Sequence, residues 1–265
     1  MPLVGPEEFR RLPPERQAAI LTEMKQTLQL AYDHAVPIVV SPPPGSDRDD
    51  LRSASGFFFR IDARLFLGTA DHVLKTYITR REGGEDIILQ AGSFTVAPDR
   101  PGVLRDERAD LALIPITDAE AYSSGRHVST APRGWPPPLP RVGSYVVFSG
   151  CPESLRERDA NAHVSFGSFS SIMRVTSATA DNVKCEFERE AWVSDSPNLP
   201  PALGTDMSGM SGGPVFSLDY SVDVPLIGLI YEFNAGIFGS DIEVLCIRPF
   251  SAAQFSPQAG FTRVV

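Results

Sequence analysis

Gly209-Met210-Ser211-Gly212-Gly213-Pro214 sets a serine within a run of glycines. An alcohol is a poor nucleophile at neutral pH. A catalytic serine therefore needs a base beside it, a group that orients the base, and donors for the oxyanion that forms when it attacks a carbonyl. The glycines have a physical reason here, because a tight turn without Cβ atoms aims the backbone N–H groups of Gly209 and Ser211 at one point. The chemistry such a turn would carry is acyl transfer.

Two upstream stretches offer the remaining parts. Ser55-Gly56-Phe57-Phe58-Phe59-Arg60-Ile61 leads through a turn to Leu65-Phe66-Leu67-Gly68-Thr69-Ala70-Asp71-His72-Val73, an apolar hairpin that ends in a histidine. Ala109-Asp110-Leu111-Ala112-Leu113-Ile114 sets a carboxylate just before a buried strand, where a charge needs a partner. Asp106 and Asp86 are the other acids in reach of that role.

Short apolar runs at Phe57 to Ile61, Leu65 to Leu67, Ile87 to Leu89 and Leu111 to Ile116 predict strands separated by turns. After Pro132-Arg133-Gly134-Trp135-Pro136-Pro137-Pro138-Leu139-Pro140, whose fixed φ angles and missing donors exclude helix and central strand, strands resume. These are Tyr145 to Phe148, Ser168 to Thr176, Val183 to Phe187, Pro214 to Ser217, Leu226 to Tyr231 and Ile242 to Ile247. Many short strands on both sides of a linker favour two β-barrels or sandwiches. Ahead of them, Pro13-Pro14 starts a helix over Glu15 to Asp33 with Ile20, Leu21, Met24, Leu28 and Ala31 on one face. That face is expected to pack on the domain that follows, with docking of a regulatory protein partner as the alternative.

The three motifs together resemble the chymotrypsin-like (trypsin-fold) serine proteases of bacterial type, over roughly Ser53 to Phe250. Members carry the nucleophile in Gly-x-Ser-Gly-Gly-Pro before an apolar strand, the general base in Thr-Ala-Ala-His, and the orienting acid in Asp-(Ile/Leu)-Ala-Leu. Val142-Gly143-Ser144-Tyr145-Val146-Val147-Phe148-Ser149-Gly150 is similar to the first strand of their second barrel. The resemblance implies a mainly β fold of two six-stranded antiparallel β-barrels with an N-terminal helix. It divides the chain into residues 1–36 as a helical extension, 37–131 as a first barrel with His72 and Asp110, 132–140 as a linker, and 141–265 as a second barrel with Ser211.

The implied activity is serine endopeptidase, with His72, Asp110 and Ser211 catalytic in the order known for chymotrypsin and Gly209 and Ser211 forming the oxyanion hole. The implied substrate pocket involves Thr205, Asp206, Tyr231, Glu232 and Phe233. Thr205 is a neutral floor, and either Asp206 or Glu232 would select a basic side chain, so basic and small or neutral side chains stand level. Two departures matter. Asp71 replaces the second Ala of the histidine motif and alters the local field. Met210 stands where many members have an Asp that pairs with a freed N-terminus, so that activation switch is absent.

Two other classes of function remain. A silent binding module on the same fold is disfavoured because all three residues are present. An esterase elbow of the form Gly-x-Ser-x-Gly also fits the string, but Pro214-Val215-Phe216 reads as strand rather than helix, and the histidine precedes the serine.

Bulk properties narrow the rest. A net charge of −9 without a basic stripe opposes a nucleic-acid partner. Cys151, Cys185 and Cys246 have no metal-ligand spacing, so neither a disulfide framework nor a zinc site is expected, and no cofactor is implied. His34 suits a helix C-terminus, and His127 and His163 fall in polar loops. No apolar run of about 18 residues and no leader-like start occur, so a cytoplasmic protein without membrane association is expected, with a protein or peptide substrate as its partner.

Overall fold

The computed structural model describes residues 6–44, 46, 50–131, 135–158, 164–186, 206–219, 224–235, 243–251 and 262–263. Two helices, α1 (Pro6–Arg11) and α2 (Pro14–His34), precede the strands. Pro13 and Pro14 start α2, where a missing N–H costs nothing. The half-buried Ile20, Leu21, Met24 and Leu28 lead along the helix to Ala31, which is fully buried. It lies against the second half of the chain and not only the segment that follows it. At its C-terminus the ring of His34 packs edge-on to Phe216, with centroids 5.1 Å apart, and its Nδ1 donates to the Leu30 carbonyl.

The first half comprises β1 (Ala35–Ser41), β2 (Arg52–Ile61), β3 (Arg64–Thr69), α3 (Asp71–Glu82), β4 (Ile88–Ala91), β5 (Phe94–Val96), β6 (Leu104–Asp106), β7 (Leu111–Pro115), α4 (Asp118–Ser123) and β8 (Val128–Thr130). With β17 (Thr262–Arg263), these strands make one nine-stranded sheet ordered β17-β6-β7-β3-β2-β1-β4-β5, with β8 beside β2. The expected closed six-stranded antiparallel barrel is not confirmed here, where the described strands form a half-barrel sheet. Among the described residues no ladder joins β5 back to β6 or β17, and β8 runs parallel to β2 because it reaches that edge from α4 rather than through a hairpin.

The second half does close. It comprises β9 (Tyr145–Gly150), β10 (Arg156–Arg158), β11 (Val164–Phe166), β12 (Phe169–Ala178), β13 (Val183–Glu186), β14 (Pro214–Ser217), β15 (Leu226–Ala235) and β16 (Glu243–Pro249). Six of these form the antiparallel barrel β12-β13-β16-β15-β14-β9, and β10 pairs with β11 apart from it. The protein is thus mainly β, with a closed six-stranded barrel and a half-barrel sheet.

Side-chain alternation explains how the halves meet. On β9, Val146 and Phe148 fill the barrel with Val215, Ile230 and Leu245, while Val147 joins Phe216 and Leu229 in the other core. A one-residue slip would exchange those faces. On β2, Phe57 and Phe59 share one face and meet Phe250 at 6.0 and 6.1 Å, while Phe58 turns the other way and stacks on Phe94. Trp135, from the linker, closes over Phe59 at 4.8 Å, so the linker's aromatic is a packing residue between the halves. Among the described residues no helix is long and apolar enough to cross a membrane.

Because Phe57 is fully buried in that aromatic cluster, Phe57→Ala is expected to cost about 3–5 kcal/mol in urea unfolding. Tyr122→Ala, at a position 89% exposed, should shift the same measurement by less than about 0.5 kcal/mol.

Candidate active site

β3 ends at Thr69, and α3 begins two residues later, so His72 stands on the first turn of a helix rather than at a strand end. The N-cap of α3 is Ala70, whose side chain cannot bond the free N–H groups of the first turn. Asp110 does that from outside the helix. Its Oδ1 accepts the backbone N–H of His72 and its Oδ2 accepts from His72 Nδ1, both at 2.9 Å. An ionised carboxylate only accepts, so Nδ1 carries the proton and Nε2 keeps its lone pair. One carboxylate therefore fixes the position, the ring orientation and the tautomer of this histidine.

Asp110 precedes β7 with φ of 50°, a left-handed conformation that Asp tolerates better than most residues. The turn before it is tied by Asp106, whose carboxylate accepts the Ala109 N–H at 2.9 Å. Asp86 lies beside Arg81 at 3.7 Å. Of the three acids considered, Asp110 is the one joined to His72.

The departure at Asp71 has a structural use. Its side chain is buried and takes a bidentate pair of bonds from Arg105 on β6, at 2.6 and 2.8 Å. That pair anchors the first turn of α3 to the sheet. The pKa of His72 is raised above the ordinary imidazole value: the hydrogen bond to Asp110 is the largest cause, partial burial opposes it, and the charges of Asp110 and Asp71 add to it.

The turn around Ser211 packs against the same region. Gly209 and Gly212 have φ of 94° and 88°, which L side chains rarely adopt. A Cβ on Gly212 would run into the Ser55 carbonyl oxygen and come within 3.0 Å of the Ala70 nitrogen, two residues before His72. The Ser55 N–H bonds the Ser211 carbonyl at 2.9 Å. The hydroxyl of Ser211 donates to the Tyr231 carbonyl at 3.3 Å, and no hydrogen bond joins it to His72. Among the described residues the N–H groups of Gly209 and Ser211 have no acceptor, while those of Met210, Gly212 and Gly213 bond Met207, Ile230 and Met210.

The expected pocket residues fall on two separate stretches of chain, the turn before Ser211 and β15. Thr205 lies outside the described residues. Asp206 is turned back on its own loop, its Oδ1 accepting the N–H and hydroxyl of Ser208 at 2.8 and 2.6 Å, which holds its pKa below the usual carboxylate value. Tyr231 sits at a bulge between β15 and β16 with the Arg248 guanidinium 4.2 Å above its ring. Burial, then the neighbouring Cys246, pushes its phenol up to about 12. Glu232 is exposed and Phe233 half-buried.

In the sequence Ser55 stands only as the first residue of the hairpin motif. In the fold it is fully buried and polar, and it bonds the turn. Met210 is 1% exposed and packs inside the barrel. The three cysteines are free and buried, burial pushing Cys151 up to about 11 and Cys185 to about 12. No group of three or more potential metal ligands converges among the described residues. His163 lies outside them, and the backbone N–H of His127 bonds the Asp33 carbonyl at the end of α2.

No known protein family matches the chain, and no curated protein matches it. Among solved structures it is similar to one described as "Aromatic interactions drive the coupled folding and binding of the intrinsically disordered Sesbania mosaic virus VPg protein". The likeness has 13% identity and a TM-score of 0.43, covering 81% of this chain and 85% of that one. A likeness of that degree says nothing of what either chain does.

The titration of His72 is a direct check on its surroundings. Its raised pKa means the pairing with Asp110 stabilises the folded chain below the ordinary imidazole value, and that contribution is lost as pH rises through the raised one. NMR titration should show the His72 pKa lowered in Asp110→Asn and lowered by less in Asp71→Asn. An unmoved value in Asp110→Asn would refute this account of the shift.

Proposed function

We propose that the protein is a serine endopeptidase of the chymotrypsin-like kind, hydrolysing peptide bonds in protein or peptide substrates. The observation that carries the reading is the shared carboxylate of Asp110, which binds His72 through both its backbone N–H and Nδ1 at 2.9 Å and leaves Nε2 free as a base. Support comes from Ser211, on a glycine turn against Thr69 and Ala70, with two N–H groups of that turn unengaged among the described residues. On this reading the first half of the chain supplies His72 and Asp110, the segment 132–140 links the halves, and the second half supplies Ser211.

The proposed steps balance without a cofactor. The Ser211 hydroxyl turns from the Tyr231 carbonyl toward His72, a rotation that apo geometry commonly requires. Its oxygen attacks the scissile carbonyl carbon as Nε2 takes the proton, and the N–H groups of Gly209 and Ser211 donate to the oxyanion. Collapse breaks the C–N bond, and His72 returns the proton to the leaving amine. Water then attacks the acyl-serine, giving its proton to His72, and the acid departs as Ser211 recovers its own. Asp110 stays ionised and stabilises the imidazolium between these transfers.

Substrate choice rests on fewer groups than the acids in the sequence suggest. Asp206 has one oxygen committed to Ser208, so the exposed Glu232 on β15 is the acid open to a basic side chain. A small or neutral side chain is the alternative, and a peptide-library cleavage profile separates them.

Purified wild-type chain should react with a fluorophosphonate probe and cleave a casein-type substrate, and Ser211→Ala should do neither, with cleavage reduced by roughly 10⁴-fold or more. Activity should fall on the acid side through a pKa above about 6.5, since His72 must be neutral to act as the base. Folded wild type that neither labels nor cleaves would assign the chain to the silent binding class, and full cleavage by Ser211→Ala would remove Ser211 from the mechanism.

A further inference from the structure

Among the described residues, no charged side chain from outside its own loop is hydrogen-bonded to the turn that carries Ser211. Met210, between Gly209 and Ser211, is buried in the apolar interior of the barrel. What ties the turn to the rest of the molecule is hydrogen bonding, and much of it passes through one side chain. Ser55, fully buried on β2, donates its N–H to the Ser211 carbonyl at 2.9 Å. Its Oγ accepts the Cys151 N–H at 2.8 Å and donates to the Gly209 carbonyl at 2.6 Å. Its own carbonyl accepts from the Thr69 hydroxyl at 2.8 Å, so each polar atom of Ser55 is used.

The same short segment grips the turn a second time. The Ser208 carbonyl accepts the Glu153 N–H at 2.6 Å. In a trans peptide the N–H points opposite to the carbonyl, so this bond directs the Gly209 N–H away from residues 151–153. The two peptide planes flanking Gly209 are therefore both fixed from their carbonyl sides, one by Glu153 directly and the other by Cys151 through the Ser55 hydroxyl. A Cβ at Gly209 would lie 2.7 Å from the Cys151 carbonyl oxygen, which leaves the turn little room to move toward that segment.

We propose that the Ser55 hydroxyl is a positioning group for the oxyanion donors. It holds the Gly209–Met210 peptide so that the N–H groups of Gly209 and Ser211 converge before substrate arrives, in the place an ion pair at Met210 would otherwise take. The inference rests on the reading of Ser211 as the nucleophile. Ser55 touches no reacting atom. Its effect is exerted through Gly209, on the charge that develops in the transition state rather than on substrate binding.

The test compares full-length wild type with Ser55→Ala and Ser55→Cys, counting active sites by the end point of fluorophosphonate labelling. In Ser55→Ala, kcat per labelled site should fall on the order of 10- to 100-fold with KM within about twofold, because weakened oxyanion donors act on the transition state alone. Affinity for a peptide aldehyde, whose adduct with the serine carries the same oxyanion, should weaken by the same factor as kcat/KM. Removing the hydroxyl strands two buried groups. If Ser55→Ala does not fold, Ser55→Cys, with a similar shape and a much weaker donor, carries the same expectation with a smaller loss.

A folded Ser55 variant that keeps the wild-type kcat per labelled site overturns the proposal and leaves the nucleophile reading standing. So does one whose kcat falls while aldehyde affinity holds. A wild type that neither labels nor cleaves overturns both.

Discussion

Asp110 gives its two carboxylate oxygens to one residue, and the arrangement of the site follows from that. A helix that starts at Asp71 after an alanine N-cap has first-turn N–H groups in need of acceptors. The carboxylate meets one of them at His72 and with its other oxygen takes the ring of the same residue. Capping the helix and orienting the imidazole are thus one interaction. The left-handed backbone at Asp110 is the cost, of order 1–2 kcal/mol for an L-residue, offset by two charge-assisted hydrogen bonds. His72 cannot drift without also uncapping α3, which makes the placement of the ring a property of the fold rather than of one flexible side chain.

Next to this lies a second carboxylate that does a different job. Asp71 is buried, and an unpaired charge there would destabilise the fold strongly, but Arg105 meets it with a bidentate pair from β6. The ion pair fixes the base of α3 to the sheet while leaving Asp71 a small share in the field at His72. Two adjacent residues on one helical turn are held by two different strands, β6 through Asp71 and the start of β7 through His72. β6 and β7 are hydrogen-bonded neighbours, so both anchors rest on one rigid piece of sheet.

How much of this was legible in the sequence depended on whether a feature was local. Strand β14 matches Pro214 to Ser217, and α2 extends the expected helix by one residue at each end, because alternation and proline capping are set by near neighbours. The glycines at 209 and 212 announced a turn, and both have positive φ. The helix α3 was not expected, since its start has no side-chain cap of its own and the missing acceptor comes from 38 residues away in Asp110. Nor did the sequence reveal that β8 would run parallel beside β2, a pairing between segments about 70 residues apart. Asp206 and Glu232 looked equivalent as letters, but one oxygen of the Asp206 carboxylate is taken by Ser208 two residues on.

Ser55 was the hardest feature to read, and the reason is general. Its strand, β2, is buried on both faces from Ala54 to Phe59, so periodicity carries no information about which residue faces a partner. A serine there reads as a small residue tolerated in the core. Yet a buried hydroxyl must find partners, and in the fold those partners are the backbone of Cys151 and of Gly209, 96 and 154 residues away in the chain. Neither residue type matters to the bond, because only main-chain atoms take part, so no pairing of side chains could have marked it. What the glycine turn does require is visible: a Cβ at Gly212 would strike the Ser55 carbonyl oxygen. The close approach that forbids a side chain at Gly212 is the same approach that brings the backbone of Ser211 within reach of the Ser55 N–H, so the glycine and the serine are two sides of one contact between the half-barrel sheet and the barrel.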